Sequence, residues 1–127
     1  FYLESLISIT KKGMNGAAEI AAMMQGYRAN PPATINGSKI CELLDYELQI
    51  GKDLESGESW TIDLPKSNVI QFITEDGSKI SARPSGTEPK IKFYFSVQTK
   101  LNNKEEFDVK YAELENKIKA IQVDMNL

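Results

Sequence analysis

The sequence predicts an α+β domain in which helices cover one face of a mainly antiparallel, four-stranded sheet. Two segments, one near each end, carry apolar residues at helical spacing, and strand-like runs lie between them. An Asp-Gly pair at residues 76–77 separates two of these runs and is a strong hairpin signal. A chain of 127 residues with 41% hydrophobic and 26% charged residues is one domain's worth of globular protein.

The first segment predicts a helix from Gly16 to Arg28 with Asn15 as its N-cap. Its expected buried stripe consists of Ala17, Ile20, Met24 and Tyr27. The prolines at residues 31–32 end this helix. A strand-like run with an apolar start, residues 1–10, precedes it, and such a start indicates a chain cut out of a longer protein.

The middle of the chain predicts one strand and one long loop. The strand covers Lys39 to Leu48, and its expected apolar face is formed by Ile40, Leu44, Tyr46 and Leu48. Residues 51–67 are polar and rich in glycine, serine and acidic residues, which predicts a surface loop. Trp60 is the one large aromatic residue there, and packing against the domain is favoured over contact with a partner.

Three further strands follow. Residues 69–73 are apolar at nearly every position and predict a central strand. Ser78 to Arg83 returns from the Asp-Gly turn with Ile80 and Ala82 on one face. Residues 91–98 alternate most clearly, with Ile91, Phe93, Phe95 and Val97 on the face expected to be buried.

The last segment predicts a helix that packs on the sheet. Asn103 and Glu106 have the spacing of a capping box. The apolar stripe that follows consists of Phe107, Tyr111, Leu114, Ile118, Ile121 and Met125. Pairs at i,i+4 spacing are expected on the exposed side, namely Glu113 with Lys117 and Glu115 with Lys119.

The composition disfavours several function classes. The net charge of −3 disfavours a general nucleic-acid surface. The absence of histidine removes Ser–His and Cys–His nucleophile systems, so a free-standing hydrolase is not expected. The single cysteine, Cys41, cannot form an internal disulfide, and no apolar run is long enough to span a bilayer. A cytoplasmic location is therefore the default expectation.

The loop from Arg83 to Lys90 has the residues that an anion site requires. Arg83 offers a planar fork of donors, Ser85 and Thr87 offer hydroxyls, and Gly86 allows close approach of the backbone. An ordinary hairpin turn uses similar residues. The local charge favours the anion site, because the stretch from residue 79 to 92 holds four cationic residues against one acidic residue within an acidic chain.

The stretch Arg-Pro-Ser-Gly-Thr-Glu-Pro-Lys-Ile-Lys-Phe-Tyr at residues 83–94 resembles the phosphate-binding loop of the α-D-phosphohexomutases, the phosphoglucomutase and phosphomannomutase superfamily. The resemblance covers residues 30–127 as the C-terminal domain, which implies a fold like the TATA-box-binding protein. It implies that residues 1–29 are the tail of the preceding domain and the connecting helix.

The resemblance also implies roles for individual residues. Arg83, Ser85, Gly86, Thr87 and Lys92 would bind the substrate phosphate that is not being transferred. Some relatives have arginine at the position of Lys92. The forked contact that arginine makes is replaced in this chain by the point charge of lysine. Lys90 is a weaker candidate.

The implied parent enzyme is an isomerase that interconverts hexose 1-phosphate and hexose 6-phosphate through a phosphoserine and a bisphosphate. Mg²⁺ and a hexose bisphosphate activator are implied for that parent, with the other three domains as partners, and neither a nucleic-acid nor a membrane partner is expected. No phosphoserine loop and no Asp-x-Asp-x-Asp metal loop occurs here, so no catalytic or metal residues are assigned and this chain alone is expected to be inactive. A phosphopentomutase, a non-catalytic anion- or nucleic-acid-binding module and a purely structural domain remain alternatives.

Overall fold

The described residues form one eight-stranded sheet and two helices. The computed structural model describes residues 2–11, 13–85 and 88–127. The helices are α1, Gly16–Ala29, and α2, Phe107–Asp124, which follows a 3-10 turn at Lys104–Glu106. The strands are β1, Tyr2–Thr10; β2, Thr34–Ile35; β3, Ser38–Asp45; β4, Ile50–Asp53; β5, Ser59–Thr61; β6, Ile70–Thr74; β7, Lys79–Pro84; and β8, Lys90–Gln98.

The strands pair in the order β1-β8-β7-β6-β3-β4-β5, with β2 added beside β3, and each of these pairs is antiparallel. This confirms an α+β fold with a mainly antiparallel sheet. The predicted count of four strands is wrong, because the sheet contains eight. β6 lies at its centre, as its apolar composition indicates. The likeness to the TATA-box-binding protein stays a prediction.

Strand alternation separates a buried face from an open face. In β8 the residues Ile91, Phe93, Phe95 and Val97 are at most 1% exposed, whereas Lys92 and Tyr94 between them are exposed. β7 follows the same rule, burying Ile80 and Ala82. Each fully buried large apolar side chain contributes about 1.5–3 kcal/mol. Register is therefore strongly fixed here, since a slip of one residue would expose the whole set.

Both helices pack on the buried face. The ring of Tyr27 in α1 meets Phe72 and Phe93 edge-on, with ring centroids 5.4 and 6.5 Å apart. Ile20 and Met24 are buried as predicted, but Ala17 is exposed because Gly16 is the residue that faces inward at that turn.

The apolar stripe of α2 is only partly buried. Leu114, Ile118 and Ile121 are buried, as predicted. Phe107 and Tyr111 are 44% and 38% exposed, and their rings lie against each other with centroids 5.9 Å apart. Burial of these two aromatic residues against the sheet was a wrong expectation.

The region between residues 38 and 61 differs most from the prediction. A β-bulge between Ile40 and Glu42 shifts the alternation of β3, so Leu43 and Asp45 are buried instead of Leu44. The strand also ends at Asp45, and Tyr46 and Leu48 belong to a turn. Residues 51–67 are not one long loop, because the β4–β5 hairpin occupies their first half.

Trp60 lies in β5, and its indole ring lies over Gly51, its partner on β4. A Cβ atom added to Gly51 would lie 2.4 Å from the indole ring, so the glycine leaves the space that this ring fills. The side chain is still 40% exposed.

Polar contacts fix the turns and the ends of the helices. Asn103 accepts a hydrogen bond from the Glu106 N–H at 3.1 Å, which confirms half of the capping box. The Glu106 carboxylate accepts from the N–H of Asn102 rather than from Asn103. The expected i,i+4 pair of Glu113 with Lys117 is absent from the ion pairs of the described residues, because Lys117 binds Asp76 at 2.5 Å.

β1 lengthens the sheet beside β8 over nine consecutive residue pairs, and α1 packs on the same sheet. The predicted domain boundary between residues 29 and 30 stays a prediction. Within the described residues, neither helix is long and apolar enough to cross a membrane.

Candidate anion-binding site

The β7–β8 hairpin places two cationic side chains side by side. Arg83 lies directly opposite Lys92 in the antiparallel register, and both are exposed. Alternation decides their face, since Ala82 and Phe93 beside them point into the core. Lys92 therefore lies on the same face of the sheet as Arg83. The sequence alone does not decide on which face Lys92 lies.

These two cations lack a carboxylate partner within the described part of the chain. The ion pairs formed there include neither Arg83 nor Lys92. Lys90 differs, because its ammonium group lies 3.1 Å from the Glu88 carboxylate. Like charges directly opposite each other on neighbouring strands are destabilising, and a bound anion would offset that repulsion.

A cavity of about 230 Å³ lies at this position, and the described residues in its walls are Arg83, Pro84, Ser85 and Lys92. The Ser85 N–H donates to the Lys90 carbonyl at 2.9 Å, which closes the base of the loop. Gly86 and Thr87, the other two predicted phosphate-binding residues, lie outside the described residues. The structure thus brings Arg83, Ser85 and Lys92 together at one cavity.

The connection between β1 and α1 supports this loop from the side. The Lys11 N–H donates to the Pro89 carbonyl at 2.8 Å. A Cβ atom at Gly16 would lie 2.2 Å from the Lys11 carbonyl oxygen and 3.1 Å from the Pro89 side chain. Only glycine therefore permits α1 to begin so close to the loop. Sequence reasoning missed this role of Gly16, although a glycine directly after the N-cap residue is a usable signal.

A larger cavity of about 640 Å³ lies on the open face, further along β7 and β8. Its lining residues include Lys79 but also Glu4, so its charges are mixed. Gln71 donates to the Ser81 hydroxyl at 3.0 Å across its floor. This cavity lacks the adjacent cations of the smaller one and is a weaker candidate for an anion.

Two further observations concern reactive groups away from this cavity. Partial desolvation, followed by the charges of Glu55 and Glu75, raises the pKa of the Cys41 thiol, which disfavours a nucleophilic thiolate. In residues 2–11, 13–85 and 88–127, no three His, Cys, Asp or Glu side chains converge as a metal site would require. The described residues therefore do not fit the Mg²⁺ that the family resemblance implies.

Comparison with known proteins shows the family of this chain. Residues 16–114 match the model of the phosphoglucomutase/phosphomannomutase C-terminal domain. A phosphoglucomutase of Staphylococcus aureus (strain MRSA252) is 41% identical over 95 residues, which are 75% of this chain and 17% of that protein. A phosphoglucomutase of Staphylococcus saprophyticus is 36% identical over 98 residues, 77% of this chain and 18% of that protein.

The chain thus spans less than a fifth of the length of these relatives. The matched residues include the β7–β8 hairpin and the loop that it carries. The chain belongs to the phosphoglucomutase/phosphomannomutase family, as its C-terminal domain.

Proposed function

We propose that this chain is the phosphate-binding part of a phosphohexomutase. It would bind the phosphate group of the sugar substrate that is not transferred in the reaction. The observation that carries the proposal is the side-by-side position of Arg83 and Lys92 at a small cavity, without a carboxylate partner among the described residues.

The residues divide the binding task by their chemistry. The guanidinium of Arg83 can donate two parallel hydrogen bonds to phosphate oxygens, whereas Lys92 supplies a compact point charge. Ser85 would add a hydroxyl donor at the cavity wall. Gly86 and Thr87 are proposed to complete the loop with backbone and hydroxyl donors.

The reaction of a mutase explains why such a site recognises phosphate and little else. A hexose bisphosphate must be held in two opposite orientations during interconversion of the 1-phosphate and the 6-phosphate. A phosphate is the group common to both ends. Binding the remote phosphate also supplies free energy that orients the reacting end and closes the cleft over it.

The rest of the reaction would depend on protein outside this chain. Mg²⁺, which the family resemblance implies for the parent enzyme, would assist phosphoryl transfer there. In this proposal the chain binds phosphate but does not catalyse the reaction. The partners of the chain are the remaining domains of the parent enzyme. Hexose phosphates are proposed as substrates, with pentose phosphates as the alternative within the superfamily.

The proposal is tested by titrating the ¹⁵N-labelled chain with inorganic phosphate at constant ionic strength. We expect saturable amide shift changes that are confined to residues 83–92. Acetate at equal concentration controls for charge alone, and a single-stranded oligonucleotide tests the nucleic-acid alternative. Shift changes spread over the surface, or elicited equally by acetate, would contradict a phosphate site.

The Lys79→Ala variant is the matched control for Arg83→Ala. Lys79 and Arg83 are exposed cations on the same face of β7, four residues apart. Both substitutions remove one positive charge, so a general electrostatic effect would weaken phosphate binding similarly in both. A specific site predicts a large loss for Arg83→Ala and little change for Lys79→Ala.

A further inference from the structure

A small cavity lies where the β2–β3 hairpin, the β6–β7 turn and α2 meet. Its walls include the buried apolar residues Ile35 and Ile121 and the polar residues Ser38, Thr74 and Ser78. Its volume is about 10 Å³. This volume is at the lower limit for one water molecule, which needs about 10–15 Å³, and it excludes any larger ligand.

Two hydroxyl groups at this cavity lack a partner among the described residues. The Oγ atoms of Ser38 and Ser78 are buried and form no hydrogen bond there. Of the side chains that the structure describes, these two alone have such an atom, and both residues line the same cavity. A buried hydroxyl without a partner destabilises the folded state, so native proteins satisfy nearly all such groups with protein or water.

The other polar groups at the cavity are already paired with one another. The Thr74 hydroxyl donates to the Asp76 carboxylate and accepts from the Ser78 N–H at 3.1 Å. The second carboxylate oxygen of Asp76 lies against the Lys117 ammonium. The charges of this carboxylate and this ammonium balance each other. The cavity therefore favours a neutral ligand over a cation or an anion.

The Ser78 hydroxyl lies close to the Asp76 carboxylate without a direct hydrogen bond. Burial raises the pKa of the Asp76 carboxyl, and the Ser78 hydroxyl is one of the nearby groups that lower it. The Oγ atom nevertheless lacks hydrogen-bond geometry towards that carboxylate. A gap of this kind between two polar groups is commonly bridged by a water molecule.

We propose that this cavity holds one structural water molecule that is hydrogen-bonded to the Ser38 and Ser78 hydroxyls. Water can donate two hydrogen bonds and accept two, so it can satisfy both hydroxyls and also donate to the Asp76 carboxylate. It thereby connects the β2–β3 hairpin to the β6–β7 turn. The site is independent of the proposed phosphate site, because it lies apart from the cavity at Arg83 and Lys92.

A high-resolution crystal structure of the 127-residue chain tests the site directly. We expect an electron-density peak at about 2.6–3.2 Å from both the Ser38 and the Ser78 Oγ atoms. Three results would overturn the proposal. They are the absence of a peak, a peak at the cation–oxygen distance of about 2.3–2.6 Å, and serine rotamers that bond directly to the protein.

Serine-to-alanine substitutions provide a second test, in solution. Ser38→Ala and Ser78→Ala each remove one partner of the water molecule, and each is expected to lower Tm by about 2–6 °C. The double variant should lose less than the sum of the two single losses, because one water molecule bridges both hydroxyls. Ser59→Ala is the matched control, since Ser59 is an exposed serine at the start of β5, and its Tm should change less than that of either variant.

The sign of the change in Tm distinguishes a bridging water from two unsatisfied hydroxyls. Without the water, removal of either hydroxyl would relieve an unsatisfied buried group, so Tm would rise or stay unchanged. That result, or losses that add fully in the double variant, would overturn the proposal.

Discussion

Asp76 makes a contribution to stability that should disappear at low pH. It lies in the β6–β7 turn, where its carboxylate accepts hydrogen bonds from the Thr74 hydroxyl and from the Ser78 N–H, the latter at 3.1 Å. Its other oxygen is 2.5 Å from the Lys117 ammonium of α2. Asp76 therefore connects two parts of the fold. One is the β6–β7 hairpin, whose second strand contains Arg83, and the other is α2, which covers the sheet.

The pKa of Asp76 is well below its ordinary value. Partial burial acts to raise this pKa, but the ammonium of Lys117 and the hydrogen bonds from Thr74 and Ser78 outweigh it. Since the folded-state pKa is lowered, the stabilisation is present above the unfolded pKa of about 4 and is lost as the pH falls further.

The Asp76→Asn substitution keeps the shape of the side chain and removes its charge. Two hydrogen bonds lose their charge assistance and the ion pair is lost, which would total about 2–4 kcal/mol in a dry site. The side chain is 35% exposed, so solvent screening reduces the expected loss to about 1–2 kcal/mol at pH 7. For a domain of this size that loss lowers Tm by about 3–10 °C.

Urea unfolding of both proteins between pH 7 and pH 2 measures the effect. The difference in unfolding free energy should stay constant above about pH 5 and shrink towards zero below it. Glu75→Gln is the matched control, because Glu75 is the exposed neighbouring carboxylate and forms no ion pair with the described residues. A difference that is absent at pH 7, or that does not change with pH, would refute the reasoning.

Two further predictions concern other parts of the fold. Arg28 holds the buried Asp45 at 2.9 Å and also contacts Glu47 and Asn68. Arg28→Met should therefore cost about 2–4 kcal/mol in urea unfolding, with Arg28→Lys intermediate, and a loss below about 0.5 kcal/mol would contradict it. Gly51→Ala should displace the indole of Trp60, cost about 1–3 kcal/mol and shift tryptophan fluorescence to longer wavelength. Gly26→Ala, where an added Cβ meets nothing within 4 Å, should instead stabilise the protein by about 0.5–1 kcal/mol, and equal effects of the two substitutions would contradict the packing argument.

The sequence predicts the elements whose signal is local and misses those that depend on pairing partners. The alternation in β8, the Asp-Gly hairpin and the two helices each follow from residues close together in the chain. β4 and β5 have only four and three residues, too few to show alternation, and their composition is that of a loop. The bulge in β3 reverses the alternation, which is why the burial of Asp45 was missed.

The candidate site was predicted in composition but not in geometry. The family resemblance implies that Arg83, Ser85 and Lys92 contact phosphate, and this role stays a prediction. The structure brings these three residues to one cavity. The sequence could not show that the Lys90 ammonium pairs with the Glu88 carboxylate. A lysine side chain directed towards Glu88 and one directed away from it fit the same sequence. The support of the loop by Gly16 depends on a contact between residues more than seventy positions apart.

The affinity of the chain for inorganic phosphate in the Arg83→Ala variant tests the central claim most directly. Loss of hydrogen bonds to a charged group is expected to cost about 1.5–3 kcal/mol, so the dissociation constant should rise about 10- to 150-fold or binding should become undetectable. Lys79→Ala should leave it within about twofold under the same salt conditions. Equal weakening in the two variants, or an unchanged affinity in Arg83→Ala, would contradict a phosphate site formed by Arg83 and Lys92.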